Sequence, residues 1–124
     1  MDSQGLPHAI SITTADETDR RGAISMIKNN KDPLMEVKKV LVDGGYSGEN
    51  FANQLKENIE EAEVEVVKRS EMHNFKVIPK RWVVERSFSW LEKCRRLWKN
   101  CERKLETSLQ MVVLAFLRIC LQRF

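Results

Sequence analysis

The sequence is poor in the residues that mark several common functional classes. Among 124 residues there are 3 cysteines, 2 histidines and 1 tyrosine. The cysteines are odd in number and form no Cys-x-x-Cys motif, and the histidines lack metal-ligand spacing, so the sequence indicates neither a disulfide framework nor a zinc site. We therefore expect Cys94, Cys101 and Cys120 to be free thiols in the core of an intracellular protein. His8 and His73 are expected at loop or surface positions.

The sequence also lacks a long hydrophobic run. Its longest apolar run, 111–117, is far shorter than the roughly 20 residues of a membrane-spanning helix. The first ten residues show no basic segment followed by an apolar one, as a signal peptide would. With 42% hydrophobic and 31% charged residues, the composition predicts a soluble cytoplasmic protein that folds as one domain over 1–124, without a membrane partner.

Charge is distributed unevenly along the chain. Residues 1–67 carry 7 Lys/Arg against 13 Asp/Glu, whereas residues 68–104 carry 12 against 4. A basic segment joined to an acidic one favours a polyanionic partner such as nucleic acid. The acidic residues are then either solvated or gathered around a metal ion.

Strand and helix patterns alternate through the first half of the chain. Apolar, β-branched and period-two segments predict three strands, at 6–14, 40–42 and 63–67. Helices are predicted between them, the second over 48–60, and Asp16 and Asp19 are interpreted as capping and dipole-pairing residues of the first. The alternation predicts an α/β fold, a sheet with helical cover.

The last third of the sequence predicts two helices. Residues 80–104 read as one helix that begins near Pro79, with an apolar face formed by Val84, Phe88, Leu91 and Trp98. The second helix is expected to open at Thr107, with Gln110 completing a capping box. Its body is apolar nearly all round, which predicts burial against the sheet or against another subunit.

Three acidic residues stand where predicted strands and helices meet. Asp43 ends a strand at a Gly-Gly turn, Asp2 precedes a turn into a strand, and Glu85 begins a helix. Carboxylates at one edge of an α/β sheet commonly bind hard cations such as Mg²⁺, and two such ions can carry an in-line phosphoryl transfer. The alternative is a solvated salt-bridge ladder on a helix face that contains Arg81, Glu85, Glu92 and Arg96.

Three stretches resemble the DDE transposases of bacterial insertion sequences, specifically the insertion-sequence-five and insertion-sequence-four group. They are "DSQGLPHAISITTADETDRRGA", "VLVDGGYSGENFANQL" and "IPKRWVVERSFSWLEKCRRLWKNCERKLETSLQMVVLAFLRI". Together they cover essentially the whole chain. The order of "DGGY", "RWVVERSFSWL" and "RRL" makes the resemblance specific.

The resemblance implies an RNase H-like mixed sheet with helical cover, ending in two helices, that uses Mg²⁺ or Mn²⁺ to cut and rejoin DNA in transposition. Its catalytic and metal-binding carboxylates would be Asp2 in "DSQG", Asp43 in "DGGY" and Glu85 in "ER". The partners would be transposon ends and target DNA, in the nucleoid of a bacterial cytoplasm. The basic residues expected on DNA are Arg81, Arg86, Lys93, Arg95, Arg96 and Lys99.

The chain departs from the family pattern in two places. The signature's tyrosine and lysine fall at Ile78 and Glu92, with Lys93 one position late. Asp2 directly follows Met1, whereas such transposases carry a DNA-binding region and the start of a strand before the first acid. We therefore expect an N-terminally truncated, poorly active catalytic domain, with an upstream transposase polypeptide and a second copy as candidate partners. The alternative is a non-catalytic DNA-binding or subunit-interaction remnant.

Overall fold

The computed structural model describes residues 1–67 and 81–123, with the side chain of Arg81 outside the description. The chain divides into two compact units. Glu17–Ile78 is called the sheet unit, and Met1–Asp16 together with Pro79–Phe124 is called the helical unit. The single domain expected over 1–124 stays a prediction.

The sheet unit contains a small parallel sheet connected by a helix. Its elements are, in chain order, α1 (Asp19–Asn29), α2 (Lys31–Leu34), β1 (Lys39–Asp43), α3 (Glu49–Asn58) and β2 (Glu63–Val67). The two strands pair in parallel, with Asp43 opposite Val67. The strands predicted at 40–42 and 63–67 and the helix predicted at 48–60 are confirmed, and so is the coarse α/β class.

The core of the sheet unit explains why these elements form. Helices α1 and α3 and the approach to β2 supply its buried side chains: Ile27, Phe51, Leu55, Ile59 and Ala62. Val40 and Val42 pack against them from β1, because alternate residues of a strand share a face. Thr18 caps α1 by accepting the Arg21 N–H at 3.4 Å, and Asp19 lies in its first turn, so the dipole interpretation is confirmed for Asp19.

The helical unit is built on two helices, α4 (Arg81–Glu92) and α5 (Leu105–Arg123). They meet through a buried cluster that consists of Trp90, Cys94, Ala115, Phe116 and Ile119. Ile10, from the start of the chain, packs against the same cluster. This core holds the N-terminal segment next to α4.

The strand predicted at 6–14 is wrong. These residues form neither strand nor helix, and in the described residues the sheet consists of β1 and β2. Ile10 packs against the helix cluster instead. The β-branched pattern at 6–14 thus reflects the burial of apolar side chains against helices. It does not predict a strand, because a strand also needs a partner for its backbone hydrogen bonds.

The single helix predicted over 80–104 is also wrong, since α4 ends at Glu92. The Cys94 N–H donates to the Leu91 carbonyl at 2.8 Å, and a 3-10 turn follows at Arg95–Leu97. This bend brings Leu97 onto the cluster. As a result Arg96 is not on α4, and the polar helix face predicted to include it is wrong.

The buried face of α4 lies one residue away from the predicted face. Val83, Ser87 and Trp90 are buried, and so is Cys94 just beyond the helix, whereas Val84, Phe88 and Trp98 are exposed. Of the predicted face, only Leu91 packs against the buried cluster. Sequence reasoning passed over this face because Ser87 is polar. The hydroxyl of Ser87 lies within hydrogen-bonding distance of two carbonyl oxygens, which makes its complete burial acceptable.

Helix α5 differs from the prediction at its start. It begins at Leu105, so the cap predicted at Thr107 is wrong. Ala115, Phe116 and Ile119 are buried in the helical unit, whereas Leu114 and Leu121 are exposed, and burial of α5 against the sheet or against another subunit stays a prediction. By length and composition alone α5 could cross a membrane, a test that the core helix of a soluble protein also passes.

The cysteines and tryptophans fall into different environments. Cys94 is buried and Cys120 half-buried, in line with core thiols, but Cys101 is exposed, so its predicted core position is wrong. Trp90 is buried, whereas Trp98 is 86% exposed.

Candidate active site

The carboxylate of Asp2 is held inside a tight turn formed by residues 2–6, called the Asp2 turn. Its Oδ1 accepts the backbone N–H of Gln4 at 2.8 Å and that of Leu6 at 3.0 Å. The backbone closes the same turn, since the Asp2 N–H donates to the Leu6 carbonyl at 2.9 Å. The turn therefore fixes the direction in which the carboxylate points.

His8 contacts the other oxygen of the same carboxylate. Its Nε2 lies 3.0 Å from Asp2 Oδ2, and the imidazole remains about half exposed. Sequence reasoning gave His8 only a loop or surface position, because a spacing of six residues matches no regular motif. The available signal was Gly5, since a glycine in "DSQGLPH" permits the chain to double back.

The hydrogen bonds of the Asp2 turn favour the ionised carboxylate. Partial burial acts to raise the pKa of Asp2, but the Leu6 amide, the His8 ring and the Gln4 amide together lower this pKa below its ordinary value. A carboxylate that stays ionised is a suitable oxygen donor for a hard cation.

The Asp2 turn is docked directly on α4. Arg86 Nη2 donates to the Gln4 carbonyl at 2.7 Å, and Ser87 Oγ lies 2.7 Å from the Gly5 carbonyl oxygen. Gly5 has a φ of +87°, and a Cβ placed on it would lie 2.4 Å from Ser87 Oγ. Only glycine satisfies both the backbone conformation and the close approach.

Glu85 lies on α4 directly before the two residues that hold the Asp2 turn, and it is exposed. The helical unit thus brings the turn that carries Asp2 against the part of α4 that carries Glu85. Two of the three acids predicted as catalytic belong to touching segments of one unit.

Asp43 belongs to the sheet unit and ends β1. Its Oδ1 accepts the Gly45 N–H at 3.0 Å and so caps the 3-10 turn Gly44–Tyr46. Arg20 Nε donates to the Gly45 carbonyl at 2.7 Å, which ties the turn to the start of α1. Desolvation, with the charges of Asp19 and Asp43, raises the pKa of Tyr46, so the end of β1 is a negative environment.

Within residues 1–67 and 81–123, no group of three or more His, Cys, Asp or Glu side chains is arranged to hold a metal ion. The oxygen chemistry of Asp2, Asp43 and Glu85 suits Mg²⁺. Their joint role as ligands stays a prediction.

The basic residues expected on DNA have different surroundings. Exposed side chains beyond the end of α4 belong to Lys93, Arg95 and Lys99. Arg96 forms an ion pair with Glu102 in the following loop, and the side chain of Arg81 lies outside the described part. Arg86 is half-buried and directed at the Asp2 turn. Lys93, Arg95 and Lys99 are therefore the cations more accessible to a partner.

Comparison with known proteins places the chain in a family of DNA-mobilising proteins. The family described as "Transposase DDE domain" matches residues 1–120, so the chain belongs to that family, and the resemblance seen in the sequence is confirmed.

A particular relative is a putative transposase for insertion sequence element IS402 from Burkholderia cepacia. The two sequences are 29% identical over 126 residues, an alignment that covers 96% of this chain and 59% of that protein. The chain thus spans less than two thirds of the relative's length. No solved structure matches the chain.

Proposed function

We propose that the chain is an RNase H-like catalytic domain that uses Mg²⁺ or Mn²⁺ to cleave DNA and transfer strands in transposition. Asp2, Asp43 and Glu85 are its proposed metal ligands. The observation that carries the proposal is the docking of the Asp2 turn on α4 immediately after Glu85. Membership of the transposase family supports the same reaction class.

The residues have separate tasks in this proposal. The Leu6 and Gln4 amides and His8 keep the Asp2 carboxylate ionised and oriented. The end of β1 and its capped turn hold Asp43. Divalent ions supply activation of the attacking oxygen and stabilisation of the leaving oxygen in phosphoryl transfer.

The DNA backbone is the proposed partner of the exposed cations beyond α4. Lys93, Arg95 and Lys99 are exposed within a short stretch, and lysine and arginine bind duplex DNA largely by neutralising phosphates. A DNA substrate implies a location in the bacterial nucleoid. A second copy of the chain and an upstream transposase polypeptide are further proposed partners.

Removing the charge of Glu85 should weaken metal binding. We expect calorimetric titration with Mn²⁺ to give a lower affinity for Glu85→Gln than for the wild type, since an amide is a poorer ligand for a hard cation than a carboxylate. Glu106→Gln, which changes an exposed acid on α5, should retain the wild-type affinity. Equal affinity in Glu85→Gln and the wild type would exclude Glu85 as a ligand.

The second candidate function is a non-catalytic DNA-binding or subunit-interaction remnant. It is favoured by the exposed cations Lys93, Arg95 and Lys99, which can bind DNA phosphates without a metal ion. The two candidates differ in their response to metal. DNA binding that falls steeply with salt, without any metal-dependent cleavage, would support the remnant, whereas cleavage that requires Mg²⁺ or Mn²⁺ would support the enzyme.

A further inference from the structure

We propose that Arg86 is a positioning residue for the Asp2 carboxylate and not a DNA-phosphate contact. This inference rests on the proposed function, because it assigns Arg86 a task within the same metal site. It replaces the DNA contact that the basic character of the segment had predicted for Arg86. Arg86 donates to the Asp2 turn, two tryptophans surround it, and its neighbour Ser87 contacts the same turn.

The guanidinium acts on Asp2 through one residue. Arg86 Nη2 donates to the carbonyl of Gln4 at 2.7 Å, and the N–H of Gln4 donates to Asp2 Oδ1 at 2.8 Å. The contact joins residues 82 positions apart. A hydrogen bond from a charged donor is stronger than one from a neutral donor, so Arg86 fixes the peptide that orients the carboxylate.

Two tryptophans hold the guanidinium in this place. Its central carbon lies 4.6 Å from the ring centroid of Trp82 and 4.9 Å from that of Trp90, distances that allow cation–π attraction. Trp90 belongs to the buried cluster of the helical unit. The Nε of Arg86 is buried and has no hydrogen-bond partner within the described structure. A side chain packed in this way is not extended towards solvent.

Ser87 makes a second contact with the next residue of the turn. Its Oγ lies 2.7 Å from the Gly5 carbonyl oxygen and is fully buried. Successive residues of α4 thus hold the successive carbonyls of Gln4 and Gly5. Because Glu85 directly precedes Arg86, the same contacts fix the Asp2 turn relative to the helix segment that carries Glu85.

Three readouts distinguish positioning from phosphate contact: hydrogen exchange of the Leu6 amide, affinity for Mn²⁺ and the salt dependence of DNA binding. We expect Arg86→Ala to speed the exchange of Leu6 and to weaken Mn²⁺ binding by about 10- to 100-fold, as for other residues that orient metal ligands. Its salt slope should stay at the wild-type value. Lys93→Ala should do the reverse and reduce the slope by about 0.9.

A conservative variant and a core variant serve as controls. Arg86→Lys keeps the charge but loses the planar fork, so its Mn²⁺ affinity should fall as in Arg86→Ala while its salt slope stays unchanged. Ile119→Val loosens the core of the helical unit without removing a hydrogen bond of the turn, and it should keep the wild-type Mn²⁺ affinity. That comparison separates positioning from a general loss of stability.

The inference and the proposed function fail in different ways. A wild type without Mn²⁺ affinity would overturn the metal site, yet Leu6 exchange would still test the contact. Unchanged Leu6 exchange in Arg86→Ala, or a salt slope lowered by about 0.9 in that variant, would overturn the role proposed for Arg86.

Discussion

Gly5→Ala is expected to release the Asp2 turn from α4 and to destabilise the helical unit. The φ of +87° at Gly5 costs a residue with a side chain about 1–2 kcal/mol. A Cβ at this position would lie 2.4 Å from the buried Ser87 Oγ, and overpacking of this kind costs about 1–3 kcal/mol. The free energy of unfolding, measured with denaturant, should fall by about 2–5 kcal/mol, the sum of these two costs.

A matched glycine separates the two causes of this loss. Gly48 has a φ of +121°, but within the described part of the chain no neighbouring atom lies within 4 Å of the position that its Cβ would take. Gly48→Ala therefore strains the backbone without a clash, and it should leave hydrogen exchange at Leu6 unchanged. Adding Ser87→Ala to Gly5→Ala removes the clashing oxygen and should restore part of the stability. Wild-type stability and Leu6 exchange in Gly5→Ala would contradict the docking of the turn.

Asp43→Asn is expected to abolish metal-dependent DNA nicking without unfolding the sheet unit. The amide oxygen can still accept the Gly45 N–H that Asp43 Oδ1 now accepts, so the capped turn should persist. A metal contributes several kcal/mol of charge stabilisation. Because about 1.4 kcal/mol corresponds to tenfold in rate, we expect the nicking rate to fall about 100-fold or more.

The assay uses a supercoiled plasmid that carries the ends of the element, with Mg²⁺ or Mn²⁺. It is run on the chain alone and on the chain mixed with the proposed upstream transposase polypeptide. Asp32→Asn is the control, because Asp32 is an exposed acid of the same unit. Wild-type nicking by Asp43→Asn, or nicking that persists in EDTA, would contradict the role of Asp43.

The elements that the sequence predicted correctly are those with a local signal. Three elements could be read from residues close together in the sequence, and all three are confirmed. They are the strand with alternating residues at 63–67, the strand at the apolar run 40–42 and the helix between them. The segment at 6–14 carried a similar pattern but packs against helices. Pattern alone cannot tell these cases apart, because both bury apolar side chains.

The face of α4 shows a second limit of periodicity. The buried residues have the same helical spacing as the predicted set, but one of them is a serine: Val83, Ser87, Trp90 and Cys94. The hydroxyl of Ser87 lies near the Val83 carbonyl of the same helix and near the Gly5 carbonyl, which comes from the far end of the chain. The second contact is one that no local pattern contains.

The places of Asp2, Asp43 and Glu85 at the ends of predicted strands and helices made them candidate metal ligands, and the resemblance gave them catalytic roles. That assignment remains a prediction. The positions of His8 and Arg86 beside the Asp2 turn could not be predicted, because each depends on how the turn folds or docks. Arg86 looked like a DNA contact because charge is visible in a sequence, whereas the carbonyl it binds is not.

In the proposed metal site, Asp2, Asp43 and Glu85 bind the same divalent cation. This proposal can be tested by adding substoichiometric Mn²⁺ to the isotopically labelled wild-type chain and measuring which amide resonances broaden. We expect the Asp2 turn, residues 43–46 and the start of α4 to broaden together, and excess Mg²⁺ to reverse the effect. Broadening that spares residues 43–46, or that centres on other acids such as those at 57–61, would contradict it.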